Sequence, residues 1–528
     1  MRIVQLEIFS SGAAGGILDG LSVNLPTPPD SDGSPLWTVC LVGRNGSGKS
    51  QLLQTLAEIF QDAWHTHAPE QERHEVNPDL VFELTYEMEF SEERTEIVRL
   101  SRRVGRARKG VVLEVLESSQ WVTVAPETAR FGDLLPPLVV GYTSGANETL
   151  SLPFFRSRAG YASEVGSAAL LDNPSKVGVP DNRLILVDYG TNLEVLIANL
   201  MLGTDASAAQ ILEHANVQEL LSWRCIVRLV PSTVKKTKPI NGRRGVKLTS
   251  ELEDILRRLG ACSTCQSHDP VTDTYTFDFF VDQASRAAFG ANWETAADLY
   301  RAFHKLALLN DLAIPRKTRN RLTRQIALGH FATRLPEPQD EEKVFRFEEV
   351  RFRSKADAGA PVDYVALSDG EHQQAQILGM LSMIEERNAL FLLDEPESHF
   401  NPEWRTQFIK RLRGVAASGI GRQQVVLSSH APFVASDMPR ESVVILERNG
   451  GGVSARLPEF ETFGARFDRI LRDCFGVYPP ISQVARDEIN HLMSSGDAAE
   501  IEQGTKQLGG SVEKAMLLER LSRLQRKD

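Results

Sequence analysis

Apolar and polar positions alternate from the first residues: RIVQLEIF at 2–9 has the period of two that predicts a half-buried strand. Further alternating or β-branched runs predict strands at 17–25, 36–42, 80–90, 95–100, 111–116 and 138–142, with a polar, turn-rich loop at 26–35. From about residue 151 the spacing lengthens toward 3.6. Helices are predicted at 193–202, 206–213, 217–223, 250–259 and 292–309, with one strand at 274–281 among them. No heptad is sustained there, so the insertion is expected to be a compact helical domain and not a coiled-coil arm. Two short, wholly apolar runs, 390–393 and 425–427, predict buried strands of a parallel sheet. The last stretch reads as a helical tail with turns at Pro479-Pro480, Gly496 and Gly509-Gly510. The expected organisation is α/β: residues 1–150 an N-terminal lobe, 151–344 a mainly helical insertion, 345–460 a C-terminal lobe, and 461–528 a helical tail. No internal repeat is present.

Chemistry attaches to these elements at four places. GRNGSGKS at 43–50 sits between the strand at 36–42 and a helix whose Leu52, Leu53, Leu56, Ile59 and Phe60 share one face. That is the strand, glycine-rich turn and helix which a phosphate-binding loop requires. Gly43, Gly46 and Gly48 permit a tight turn, and the amides of Arg44, Asn45 and Ser47 can then point inward at an anion. Lys49 is expected to reach the β and γ phosphates of ATP, and the Ser50 hydroxyl to ligate Mg²⁺. A chance glycine-rich turn is the bland alternative; the complete pattern in its required setting weighs against it.

The run LFLL at 390–393 ends in Asp394-Glu395. Two carboxylates at a strand end are aimed differently: Asp394 is suited to hold Mg²⁺, and Glu395 to act as general base on water. An acidic turn before Pro396 is the alternative. The strand at 425–427 closes in Ser428, Ser429 and His430. One helix and one strand separate it from Asp394, which suits a parallel crossover that sets the two strands side by side. His430 could then hydrogen-bond the γ-phosphate or orient the water; a structural histidine is the competing reading. LSDGE at 367–371 precedes another apolar-faced helix, so Ser368 and the amide of Gly370 stand at a helix N-terminus, again an anion site.

Taken together, these motifs resemble an ABC-type ATPase head of the SMC and RecF kind. The resemblance covers roughly residues 1–150 and 345–465. It implies a head-to-tail homodimer, with larger assemblies open, in which Ser368 and Gly370 of one copy contact the nucleotide of the other and His430 is the switch histidine. Asp369 departs from the family by replacing a glycine. YTSGAN at 142–147 lies where a lid loop is expected but has no glutamine. DEPESHFNPEWR at 394–405 and ETFGARFDRILRDCFG at 461–476 are similar to stand-alone ATPases of bacterial anti-phage defence, of the Septu and retron-linked type. That likeness implies a sensor or regulatory ATPase controlling a separately encoded effector, a nuclease or toxin. A RecF-like DNA-repair clamp is the alternative. A transporter subunit is disfavoured by the long insertion.

Composition changes the picture little: 42% hydrophobic and 24% charged residues are ordinary for a globular, cytoplasmic protein, and no apolar run is long enough to span a membrane. Five cysteines, odd in number and scattered, argue against a disulfide framework. Cys262 and Cys265, with His268, lack the further ligands that a zinc site needs. The net charge of −11 gives no global attraction to nucleic acid. Three basic clusters run against it: Arg102, Arg103, Arg106, Arg108 and Lys109; Lys235, Lys236, Lys238, Arg243, Arg244 and Lys247; and Arg316, Lys317, Arg319, Arg321 and Arg324. Each is a candidate phosphate-backbone contact or simply a solvated face. No carboxylate array of a nuclease follows His430, so any cleavage is expected to belong to another protein.

Overall fold

The computed structural model describes the whole chain except residues 13–14, 27–35, 74–76, 92, 104–109, 145–147, 172–177, 189–190, 215–216, 235–242, 328–337, 356–358, 417–421 and 526–528. It divides into two units, Met1–Gly464 and Ala465–Asp528.

The larger unit is built on a seven-stranded sheet. Its order runs Gly452–Arg456, Val443–Asn449, Leu36–Val42, Gln423–Ser428, Leu390–Asp394, Val139–Thr143, Leu184–Val187. All neighbours are parallel except the hairpin of the first two. Leu390–Asp394 and Gln423–Ser428 are buried along their whole length. Burial on both faces is why each reads as an unbroken apolar run. They pair in parallel, as the crossover spacing predicts, with helix Pro402–Ala416 between them in sequence. One row of the register crosses four strands at their carboxyl ends: Thr143 opposite Asp394, Asp394 opposite Ser428, Ser428 opposite Leu41. Ligands of open parallel sheets collect beyond this edge.

A six-stranded antiparallel sheet, ordered Leu21–Asn24, Arg2–Ser10, Val81–Ser91, Arg94–Arg102, Val112–Glu117, Gln120–Val124, carries the N-terminal strands. Its inner face joins helix Lys49–His67 and the central sheet in one core that includes Leu6, Phe60, Phe82, Tyr86, Leu100 and Leu392. Each such buried side chain contributes on the order of 1.5–3 kcal/mol over an exposed one. The strand predicted at 17–25 shortens to Leu21–Asn24.

A third sheet corrects the reading of the insertion. Among its described residues helix still outweighs strand, but strands Val217–Arg228, Cys265–Asp269 and Thr274–Phe280 join Phe345–Ser354 and Pro361–Asp363 in five antiparallel strands. Residues 217–223, predicted helical, are therefore strand. The register against Phe345–Ser354 shifts between Val217 and Leu220, between Leu220 and Ser222, and between Ser222 and Arg224. Bulges of this kind bring Val217, Leu220 and Trp223 to the buried side at intervals of three, which mimics a helix face. Cys262 ends helix Ser250–Cys262, while Cys265 and His268 lie on an exposed strand, where His268 stacks on Tyr275.

The smaller unit consists of helices Phe467–Phe475, Gln483–Ser494, Ala498–Gln507 and Val512–Gln525. Ile489, Leu492, Ile501, Leu517 and Leu521 form its core. No helix among the described residues is long and apolar enough to cross a membrane.

Candidate active site

Strand Leu36–Val42 delivers the chain to Gly43, whose φ of 145° and close approach to the Leu446 carbonyl exclude a side chain: a Cβ there would lie 2.4 Å from that oxygen. Gly46 and Gly48 also take positive φ. Gly48 is the N-cap of helix Lys49–His67, which has no side-chain cap and no acidic residue in its first turn. Its first amides are left for an external anion. The Ser47 hydroxyl is buried without a partner. Leu52, Leu53, Leu56, Ile59 and Phe60 are all buried, as predicted.

Lys49 is 5% exposed, and its Nζ donates to the carbonyls of Gly43 at 3.2 Å and Arg44 at 3.3 Å. Burial lowers its pKa below the usual lysine value, against the opposing pull of Glu395 and Asp394. The Ser50 hydroxyl donates to Asp394 Oδ1 at 3.1 Å. Ser428 donates to the same oxygen, and its Oγ accepts from the Glu395 amide at 3.1 Å. Burial raises the Asp394 pKa, partly offset by the Ser428 and Ser50 hydroxyls. Ser50 and Asp394 supply two hard oxygens within hydrogen-bond reach. This suits magnesium, which takes few protein ligands and keeps water and phosphate for the rest.

Glu395 has φ of 48°, in the left-handed region. Its amide is fixed by Ser428, and its carbonyl accepts from Ser398 at 3.2 Å. The turn thus points the Glu395 carboxylate at His430, whose Nε2 lies 3.2 Å from Oε1. That hydrogen bond is the chief reason its pKa falls below the usual glutamate value. The half-exposed carboxylate is ionised at neutral pH and accessible to water.

So Lys49, Ser50, Asp394, Glu395 and His430 come together. Ser368 and Gly370 stand apart from them in the bonds they make. Ser368 caps helix Asp369–Met383 in a reciprocal box with Glu371 and is exposed. Gly370 is buried, and a Cβ there would lie 2.9 Å from the His399 carbonyl. Asp369 is exposed. Residues 145–147 of the expected lid loop lie outside the described residues.

Several residues not singled out from the sequence belong to the site. Ser428 ties Asp394 to the Glu395 backbone. Ser429 donates to Glu397, a buried carboxyl whose pKa burial raises. Gln373 accepts from the His399 amide at 3.1 Å, and His399 reaches the Ser144 carbonyl at 3.2 Å, linking helix Asp369–Met383 to the end of strand Val139–Thr143. Only the serines carried a signal, their place beside His430.

Residues 266–436 match a family described as "AAA domain, putative AbiEii toxin, Type IV TA system". That stretch includes Ser368, Asp394, Glu395 and His430 but not the phosphate loop. Protein ea59 of Escherichia phage lambda is 25% identical over 115 residues, 21% of this chain and 20% of that protein, so the chain spans about a fifth of the curated relative it matches. Among solved structures, an SMC head domain from Thermotoga maritima superposes with a TM-score of 0.32 and 11% identity, covering 87% of this chain and all (100%) of that chain. The recombination mediator RecF gives 0.31 and 12%, covering 86% and 97%. These superpositions are loose. The α/β fold of the P-loop NTPase class is carried by the strand, phosphate loop and helix at 36–67 and by the parallel strand order around them.

Proposed function

We propose that the chain is an ABC-type ATPase which binds ATP with Mg²⁺ at Gly43–Ser50 and hydrolyses it with Glu395 as general base. The observation that carries this reading is the register row that sets Asp394 beside Ser428 at the sheet edge, within hydrogen-bond reach of Ser50. Lys49 and the loop amides would bind the β and γ phosphates. Ser50 and Asp394 would hold magnesium, which supplies charge neutralisation on the phosphates. Glu395 would take the proton of the attacking water, with His430 fixing its carboxylate.

The active form in this proposal is a head-to-tail homodimer in which Ser368 and Gly370 close on the nucleotide of the other copy. Supporting it, the capped N-terminus at Ser368 is exposed, and Val365 beside it is an apolar side chain left 82% exposed. Mixing Lys49→Ala protein with Ser368→Ala protein is expected to restore part of the ATPase activity that each lacks, because a mixed dimer holds one intact composite site. Steady-state phosphate release across mixing ratios measures this; no recovery at any ratio rules out the shared site.

For its role, we read the chain as a regulatory ATPase that controls a separate effector in anti-phage defence. The similarity of residues 266–436 to a toxin–antitoxin family supports this reading. Copurification from the native host tests it; a preparation that carries no second protein overturns it.

A DNA clamp is the second reading, and one basic cluster favours it. Arg102 and Arg103 are paired with Asp62 and Glu83, and Arg243 is buried against Glu253 and Asp273. Arg106, Arg108, Lys109, Lys235, Lys236 and Lys238 lie outside the described residues. Helix Arg316–Ala327, by contrast, presents Arg316, Lys317, Arg321 and Arg324 to solvent. Arg321→Glu with Arg324→Glu is expected to weaken duplex DNA binding at least tenfold and flatten its salt dependence. Unchanged affinity in a fluorescence-anisotropy titration removes this helix from any DNA contact.

A further inference from the structure

Two chain segments carry Glu395 and His430, and one buried hydrogen-bond bridge joins them away from the contact that the two side chains make with each other. Glu395 opens a turn that the Ser398 amide closes on its carbonyl at 3.2 Å. Pro396 and Glu397, both buried, are the central residues of that turn, and the proline ring fixes the backbone between the two carboxyl-bearing residues. The directions of Glu395 and Glu397 are therefore set together. On the other side, His430 follows strand Gln423–Ser428, and the Ser429 amide carries the pairing one residue further, to the Leu41 carbonyl at 3.0 Å.

Ser429 is fully buried, and its hydroxyl acts in two directions. Its Oγ accepts from the Ala431 amide at 2.9 Å, which closes the backbone around His430. Its proton goes to Glu397 Oε1. Glu397 is only 3% exposed, and a carboxyl so deeply placed is unfavourable unless hydrogen bonds hold it. The bond that it accepts is the one that fixes the Ser429 hydroxyl, and with it the Ala431 amide. The bridge from Glu397 through Ser429 to Ala431 thus runs from the turn of Glu395 to the backbone of His430. The His430 side chain is one-third exposed, so its aim depends on where that backbone is held. Its Nε2 meets Glu395 Oε1 at 3.2 Å.

We propose that Glu397 is a positioning residue for ATP hydrolysis: through Ser429 it holds the His430 backbone where the imidazole meets the Glu395 carboxylate. The proposal rests on the reading of Glu395 as general base. Lys49, Ser50 and Asp394, the proposed phosphate and magnesium ligands, are tied by other contacts, so loss of the bridge falls on rate and not on ATP affinity.

Single-turnover phosphate release and ATP affinity, both measured on the full chain, test it. Ser429→Ala and Glu397→Ala are each expected to slow hydrolysis about tenfold or more, with ATP affinity within about twofold of the parent. Glu397→Gln keeps an acceptor for the Ser429 hydroxyl and should keep most of the rate. In a His430→Ala background, itself slow, Ser429→Ala should slow the reaction no further, because the bridge acts through His430. Ser429→Ala removes a single buried oxygen, so it carries the test if Glu397→Ala fails to fold. Parental turnover in Ser429→Ala or in His430→Ala overturns the inference. So does a Ser429→Ala loss repeated in full without His430, or a Glu397→Gln variant as slow as a folded Glu397→Ala. Glu395→Gln run alongside separates the two levels: if it is slow while Ser429→Ala is not, only the positioning role falls; if it turns over at the parental rate, the general-base reading falls and takes this role with it.

Discussion

Glu395→Gln is expected to lower steady-state ATP turnover by about 10²–10⁴-fold while ATP stays bound. The substitution keeps the shape of the side chain and removes only its charge and basicity. In the parent, the His430 hydrogen bond chiefly holds Glu395 below the usual glutamate pKa, so the carboxylate is ionised and ready to accept a proton. The side chain is aimed by a backbone in the left-handed region, a conformation that costs a non-glycine residue on the order of 1 kcal/mol and persists only because its surroundings enforce it. The enforcing contacts, Ser428 to the amide and Ser398 to the carbonyl, involve the backbone alone and survive the change to glutamine. The proposed magnesium and phosphate ligands are likewise untouched, so affinity for ATP should hold. With hydrolysis blocked, the closed dimer of the proposed cycle should accumulate. Rapid-quench measurement of phosphate release gives the first quantity, and sedimentation velocity with ATP the second. Turnover at the parent rate would mean that another group activates the water.

What the sequence reveals of this molecule follows from which forces are local. The phosphate loop is legible because its strand, its glycines and its helix are contiguous, and each enforces the next: Gly43 must pass the Leu446 carbonyl, and Gly48 must open the helix in a left-handed conformation. The buried strands ending at Asp394 and Ser428 are legible because a parallel sheet covered on both faces demands unbroken apolar runs. Strand Gln120–Val124 is not, because it lies at a sheet edge with only Val124 buried and so shows no alternation. Residues 217–223 are misread for the opposite reason: their buried positions are real, but their spacing is set by bulges against a strand more than a hundred residues away. The same non-locality hides Ser428. A serine at a strand end has no evident task until the register places it opposite Asp394, where one hydroxyl serves both the Asp394 carboxylate and the backbone of Glu395.

Lys49→Ala should abolish measurable hydrolysis and weaken ATP binding by about 10–100-fold, the loss of a charged hydrogen-bonding partner worth roughly 1.5–3 kcal/mol. The expectation rests on what remains. Asp394 and Glu395 stay near the vacated position, both within electrostatic reach of the Lys49 ammonium, and without it they repel a triphosphate. The loop amides still attract it, so some affinity survives while turnover does not. Stability should move the other way. Burial lowers the Lys49 pKa, which means that holding the charge in the folded state is unfavourable relative to the unfolded chain, where lysine titrates at its ordinary value. That cost is present at every pH below the lowered pKa and fades as pH rises through it. Removing the ammonium relieves the cost, so the melting temperature at neutral pH is expected to be unchanged or higher, and the gain to shrink at alkaline pH. A variant that melts like the parent yet no longer binds ATP separates a lost ligand contact from a damaged fold. One that retains parental affinity in equilibrium dialysis would remove Lys49 from the site and, with it, the reading of the loop as a phosphate cradle.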